Sequence, residues 1–535
     1  MNKVELLSPG GNLRKVKTAL LYGADAVYVG TPDMSLRSKS EFSLADLFEV
    51  ARICKLNKKK FYLTLNLFSH NKDIEKLPHF IKTIKDIQPD GVLIADPAVF
   101  MYCKTHIPNI NLHVSTQANV CSWLSVDYWQ KQGASLCVLA REVSFQELAE
   151  IREKCSNIKL EAFIHGSMCM TYSGRCLLSN FMAERGANQG SCSHSCRWQY
   201  KVKAKLKTDK IFELNINEDN KDLFEFYLEE EYREGEMFAL EEDEMGSYIL
   251  NSKDLCLMPV LPDYLKIGID TLKIEGRNKS EYYVALVTRA YRLAIDNWYK
   301  NSATWSAKDY MEDLNAISSR GYTTAFHDGR LTNLSQNYDI AKTLSSYQFA
   351  GIIDSYENEF LILEIKNLLN QGDILEFISP YLLEPIRLRL YEFIDYGYNR
   401  ILQKVSPGRA GQKIKIPLTA FHNEDAKRLQ ELLPPLTIVR KQHVDSRYDL
   451  FLQQNKVAFK VETKEANQKV LANIKNKIAN NILRDPVVNK QINHNCCSKG
   501  CNGCLAFWND EKYAKLRDKL KDKKLGEMLI KSIDF

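Results

Sequence analysis

Leu136-Cys137-Val138-Leu139-Ala140, then Ser144-Phe145-Gln146-Glu147-Leu148-Ala149-Glu150-Ile151, then Leu160-Glu161-Ala162-Phe163-Ile164: an apolar run, a segment of helical period and a second apolar run follow in immediate succession. The two runs have the length and β-branched character of strands, and the segment between them opens on a capping box, with Ser144 able to bond the amide of Glu147 and Glu147 able to reach back. Strand, capped helix, strand is the unit of a parallel sheet, because parallel neighbours need a crossover connection. Working outward, the same alternation recurs. Further strand-like runs are Val4 to Leu7, Ala26 to Val29, Phe61 to Leu67, Gly91 to Ala95, Leu112 to Ser115 and Thr271 to Ile274. Helical periodicity separates them, as in Leu13, Val16, Leu20 and Leu21 after the cap residue Asn12, or Leu44, Leu47, Phe48 and Ala51. Eight strands with crossover helices predict a TIM-like (β/α)8 barrel; an open doubly wound sheet is the alternative.

The regular spacing breaks after the seventh run, which places an insertion, about residues 185–250, before strand eight. Residues 1–305 form the barrel on this reading, closed by an amphipathic helix carrying Tyr283, Leu286, Val287, Ala290 and Leu293. A linker helix and loop occupy 306–340. Runs at Phe349 to Ile353, Phe360 to Ile365 and Ile374 to Ile378 predict a small β-barrel over 341–418. Residues 419–489 read as a mixed α/β domain, and 490–535 as a Cys-rich segment with a basic helix.

The chain has 535 residues, 45% hydrophobic and 26% charged, which is ample for a large core and smaller appended domains. Its net charge of +6 is too mild to identify a nucleic-acid partner by itself. No window holds the roughly 18 consecutive apolar residues of a membrane span, and the opening residues lack the apolar stretch of a signal peptide. A cytoplasmic protein with no membrane partner is the expectation. In that reducing setting fourteen cysteines do not read as a disulfide framework, and any tight grouping among them reads first as a metal site.

Four of them share one loop. Cys169 and Cys176 follow the seventh strand, and Cys192 and Cys196 come shortly after, at the carboxyl-terminal rim where TIM barrels build active sites. Thiolates suit zinc or iron-sulfur clusters. Zinc ribbons bring ligands as two tight pairs, whereas the first pair here is separated by six residues, so an open loop around a [4Fe-4S] cluster fits better. Cys256 is an alternative ligand. Side chains near the carboxyl ends of the other strands are expected to face the same pocket: Asn66, His113, Ser115, Gln117, Arg141, Glu161, His165, Lys273, Glu275 and Arg277. His113 and His165 are candidates to move protons, and Glu161, Lys273 and Glu275 complete the catalytic candidates.

The passage Glu161-Ala162-Phe163-Ile164-His165-Gly166-Ser167-Met168-Cys169-Met170-Thr171-Tyr172-Ser173-Gly174-Arg175-Cys176 resembles the signature of the collagenase-like peptidase family. Leu6-Leu7-Ser8-Pro9-Gly10-Gly11-Asn12, Gly23-Ala24-Asp25-Ala26-Val27-Tyr28-Val29-Gly30 and Leu272-Lys273-Ile274-Glu275-Gly276-Arg277 resemble the family's first, second and last barrel strands. The similarity runs to about residue 420. It implies an oxygen-independent RNA hydroxylase with a [4Fe-4S] cluster on Cys169, Cys176, Cys192 and Cys196, forming 5-hydroxyuridine at the tRNA wobble position with prephenate as hydroxyl source. The partners implied are the tRNA anticodon loop, a small-molecule dicarboxylate and an electron donor of unknown identity. For the dicarboxylate, Arg141, Arg175, Lys273 and Arg277 are cationic candidates. Tyr172, Phe181, Trp198 and Tyr200 flank the cysteines as base-stacking candidates. Two other activities of the same family are alternatives: ribosomal RNA cytidine hydroxylation and collagenase-like peptidase action.

A second group, Cys496, Cys497, Cys501 and Cys504, follows His494 near the end of the sequence. It reads as a second iron-sulfur cluster or a zinc site.

Overall fold

The computed structural model describes residues 3–30, 42–67, 69–169, 171–172, 175, 179, 252–329, 347–408, 411–421 and 426–442, together with the backbone of short strands between 203 and 248. Cys176, Cys192, Cys196, Phe181, Trp198, Tyr200 and the Cys496 to Cys504 group lie outside the described residues, as does everything beyond residue 442.

Eight strands form the first body: β1 (Glu5–Gly10), β2 (Ala26–Gly30), β3 (Lys60–Leu65), β4 (Gly91–Ile94), β5 (Asn111–Val114), β6 (Leu136–Val138), β7 (Lys159–Gly166) and β8 (Thr271–Ile274). Each pairs in parallel with the next, and β8 pairs in parallel with both β7 and β1, so the sheet closes. Closure rules out the open doubly wound alternative. The helices between strands begin where the sequence places stop signals for the preceding strand. Asn12 accepts from the Lys15 amide to start α1 (Leu13–Leu21), and the Ser144 box opens α2 (Phe145–Lys154) with both reciprocal bonds made. Strands such as β2 and β4 are buried along their whole length because one face points into the barrel and the other packs under helices. The closing helix α3 (Glu281–Lys300) is the most deeply embedded, with an almost unbroken buried run from Tyr282 to Ile295.

A short strand, Asp254–Cys256, runs antiparallel to the end of β7, and Tyr322–Thr323 pairs with it. Beyond this comes an eight-stranded, curled antiparallel sheet with its own apolar cluster. It contains β9 (Tyr347–Glu357), β10 (Phe360–Ile365), β11 (Ile374–Ile378), β12 (Ile386–Arg389), β13 (Phe393–Asp395), β14 (Ile401–Leu402), β15 (Lys413–Pro417) and β16 (Ile438–Gln442). The last strand differs from the sequence reading, which ends this domain at Leu418. β16 lies between β11 and β9, so the domain is incomplete without a segment that the sequence reading assigns to the next one.

The barrel and the curled sheet share buried contacts. Ile352, Ile378 and Ile438 join the barrel's apolar core. The Tyr22 hydroxyl donates to the Ile378 carbonyl at 2.7 Å and accepts from the Ile438 amide at 2.9 Å. Arg289 of α3 pairs with Asp313 and donates to the Ser379 carbonyl at 2.8 Å. Among the described residues no helix is long and apolar enough to cross a membrane.

Candidate active site at the barrel mouth

Lys273 lies on β8, with Glu275 and Arg277 on the segment that leaves its carboxyl end. Period-two alternation puts Glu161 and Phe163 on one face of β7, and Thr64 lies on β3 with Asn66 just past its end. Since β8 pairs with β7 and β1, these residues converge on the barrel axis and its carboxyl-terminal mouth. Deepest is an ion pair: the Lys273 ammonium lies 2.7 Å from Glu161, with both side chains almost fully buried. Burial pushes the Lys273 pKa down and the Glu161 pKa up, each against the pull of its partner's charge. The ammonium also sits 4.6 Å from the centre of the Tyr28 ring and 5.4 Å from that of Phe163. Two aromatic faces and one carboxylate therefore hold a cation at the floor of the mouth.

Above it lie two guanidinium groups. Arg277 donates to the Thr64 hydroxyl at 2.8 Å, and Arg141 stacks on Phe163 with its carbon 4.1 Å from the ring centre. Glu275 links this cationic layer to the cysteine loop. One of its carboxylate oxygens lies 3.7 Å from Arg141 and accepts the Ser167 amide at 3.0 Å, two residues before Cys169. Gly166 makes that approach feasible: its φ is +126°, and a Cβ there would lie 2.8 Å from the Cβ of Glu275. Gly11 has a related role, since a Cβ would fall 2.0 Å from the Arg277 carbonyl oxygen. A polar triad completes the rim: Asn66 donates to Gln117 at 3.2 Å and lies 3.4 Å from Ser115, whose hydroxyl donates to Gln117 at 2.5 Å.

Eight of the ten expected pocket residues thus share the upper barrel interior, and the two histidines do not. His113 faces the axis but one layer too low. It lines a cavity of about 350 Å³ at the amino-terminal end, with Glu5, Lys60, Tyr62 and Lys159, and its ring centre is 4.8 Å from that of Tyr62. Gly91 makes room for it, because a Cβ there would be 2.9 Å from the imidazole Nε2. His165 points away from the axis, into a cage of Tyr283, Tyr291 and Tyr322 with ring centres 5.4 to 6.0 Å away. The cause is a register shift in the β7–β8 pairing: Lys273 faces Phe163 but Ile274 faces His165, so one residue is skipped and the alternation reverses. Burial drives both imidazole pKa values down to about 3, so both rings are neutral at neutral pH.

Cys169 is exposed at the rim, while Cys256 is buried on the strand beside β7, with its sulfur 3.8 Å from the Tyr291 hydroxyl and its pKa pushed up to about 11 by burial. Among the described residues no three His, Cys, Asp or Glu side chains group as metal ligands. Arg175 is exposed, and its amide donates to the Tyr172 carbonyl at 2.9 Å. Tyr28, Thr64 and Phe163 were absent from the sequence reading of the site. Each lies two residues from a named site residue or a strand end on the same face, so alternation along the strand was the signal for them.

A closed parallel barrel whose mouth gathers one buried ammonium, two guanidinium groups and a bridging carboxylate belongs to the TIM-barrel class that builds its sites from βα loops. The chain belongs to peptidase family U32, whose family model matches residues 11–337. It is 35% identical over 382 residues to the tRNA hydroxylation protein P1 of Bacillus subtilis, covering 71% of this chain and 84% of that protein. Over 398 residues it is 36% identical to the tRNA hydroxylation protein P of Escherichia coli, covering 71% and 87%. A Porphyromonas gingivalis protein named collagenase is 27% identical over 436 residues, covering 78% and 95%.

Proposed function

We propose that this chain is a tRNA hydroxylase, and more narrowly one that forms 5-hydroxyuridine at the wobble position with prephenate as the hydroxyl source and an iron-sulfur cluster as redox centre. The coarser reading is supported by relatives above 30% identity that cover most of their own length and are named for tRNA hydroxylation. The observation that carries the substrate reading is the mouth itself: Lys273, Arg141 and Arg277 are stacked at its centre on aromatic faces. Two guanidinium forks above an ammonium suit a small dicarboxylate better than a peptide backbone, which brings no charge to be matched.

Cys169, Cys176, Cys192 and Cys196 would hold the cluster. The exposure of Cys169 at the rim fits, as does a donor set of four soft thiolates. When bound, such a cluster supplies one-electron transfer, which ordinary side chains cannot. The chain's own residues do the rest. Arg141 and Arg277 orient carboxylates, Glu161 holds the Lys273 ammonium in place from below, and Glu275 ties the cation layer to the first turn of the cysteine loop.

Nucleoside mass spectrometry of tRNA from a strain lacking the gene tests the reading: 5-hydroxyuridine derivatives should disappear and return on complementation. An unchanged tRNA profile with a lost ribosomal hydroxycytidine would move the substrate to the ribosome, and unchanged RNA with collagen cleavage by the purified protein would restore the peptidase reading. Iron and sulfide content after anaerobic purification tests the cluster, with Cys169→Ser expected to lower both.

A further inference from the structure

The β13–β14 hairpin of the curled sheet ends in a turn built more rigidly than its exposure requires. The buried Asp395 carboxylate accepts the Gly397 amide at 2.9 Å and the Tyr398 amide at 2.8 Å, and Gln412 donates to its other oxygen at 3.3 Å. The Asp395 amide and carbonyl bond to the Arg400 carbonyl and Asn399 amide, closing the turn, with Asn399 in the left-handed region. A side chain carried on this frame loses little further backbone freedom when it meets a partner.

What the frame presents is aromatic and cationic. Tyr398 is 80% exposed and therefore contributes almost nothing to the core, and the Arg400 guanidinium lies 5.5 Å from its ring centre. Beside it, the Tyr396 ring is flanked by the ammonium groups of Lys413 at 5.8 Å and Lys415 at 5.4 Å. Lys415 donates to the Asn399 side chain at 3.1 Å, which joins the two halves of the patch. Opposite charge is present at its edge: Glu357 accepts the Tyr396 hydroxyl at 2.9 Å, and Asp354 pairs with Lys413 at 2.7 Å. Arg400 and Lys415 make no ion pair with any described residue.

We propose that this hairpin tip is an RNA-docking surface, on which Tyr398 stacks an unpaired nucleotide and Arg400 and Lys415 meet the adjoining phosphates. An exposed ring with cations beside it is the combination that single-stranded nucleic acid uses: stacking on the aromatic face, and charge along the backbone. The proposal rests on the tRNA reading above and names a second point of attachment, distinct from the barrel mouth. It is sequence-tolerant, since every base has a stacking face.

The test uses the full-length protein and bulk tRNA, with affinity followed across a salt series. Tyr398→Ala should weaken binding about ten-fold while Tyr398→Phe retains it, as expected for loss and retention of one stacked base. Arg400→Ala combined with Lys415→Ala should make the log-log salt slope shallower by roughly 1.4, at about 0.7 per single-strand phosphate contact. Wild-type affinity and slope in all variants overturn the docking surface while leaving the hydroxylase reading intact. Failure of the wild-type protein to bind tRNA, together with an unchanged tRNA nucleoside profile, overturns both. Poly-L-glutamate serves as the protein-like comparison: equal weakening of its binding by Tyr398→Ala would assign the tip to an acidic polypeptide instead.

Discussion

Lowering the pH probes how the barrel interior is built, through His113. Burial, and then the charge of Lys273, drives this imidazole from an ordinary pKa of 6.5 down to about 3. The unfolded chain therefore takes up a proton that the folded chain refuses. The stabilisation is complete above about pH 6.5 and is lost progressively as the pH falls toward the folded value. From about pH 7.5 to about pH 5 the loss is about 2 kcal/mol, taking ~1.36 kcal/mol for each unit below the unfolded pKa. His113→Gln removes the titration while keeping a polar side chain over the space that Gly91 leaves. Urea unfolding of both proteins at the two pH values, followed by tryptophan fluorescence, isolates the term as a difference of differences, so other titrating groups cancel. Wild type should lose about 2 kcal/mol more than the variant on acidification. Parallel pH dependence would refute the reasoning and would mean that the amino-terminal cavity hydrates the imidazolium well enough to keep it charged inside the fold.

Two further predictions concern what holds the core together. Lys273→Met leaves the Glu161 carboxylate buried without its cation and should cost about 3–5 kcal/mol in thermal or urea unfolding. Adding Glu161→Gln should recover most of that, and a single variant as stable as wild type would remove the ion-pair account. Tyr22→Phe leaves the Ile378 carbonyl and the Ile438 amide without their shared hydroxyl, at about 1–3 kcal/mol for the unsatisfied groups. Hydrogen exchange at the Ile438 amide should accelerate well ahead of exchange in the barrel strands.

The barrel was legible because its strands are short apolar runs with capped helices between them, and β8 in particular occupies the four residues the sequence singles out. Depth and facing were harder. Alternation places Asn111, His113 and Ser115 on one side correctly, but strand stagger decides which layer each enters, and stagger is a property of the closed sheet rather than of any strand. His165 was misplaced by the register shift opposite Ile274, which no local pattern announces. The curled sheet was cut short at Leu418 because β16 does not read as a strand in a core. Arg440, almost fully buried, sits in its middle, bonded to Glu376 at 2.8 Å and to Glu312 at 2.7 Å. A charged residue whose partners lie 64 and 128 positions away looks like surface until those partners are in view.

That same difficulty marks the site. The interior of a (β/α)8 barrel is ordinarily filled by layers of branched aliphatic side chains. Here the interior holds Glu161, Lys273 and Tyr28, with Tyr62 and His113 toward the amino-terminal end, and the Glu161 and Lys273 charges have been taken out of water. Replacing a buried ion pair by apolar groups of similar volume is often neutral or stabilising, so the fold does not need this one. The pair has a use if something enters from the mouth. Lys273 is held by Glu161 from the β7 side and by the Tyr28 and Phe163 rings around it, and Arg141 and Arg277 stand above on the same aromatic faces. A ligand carboxylate arriving there meets three cations already desolvated and oriented, so little further reorganisation opposes binding. The Glu161→Gln, Lys273→Met double variant is therefore informative in a second way: it should keep the barrel and lose the proposed tRNA hydroxylation, separating what the ion pair does for the site from what it does for the fold.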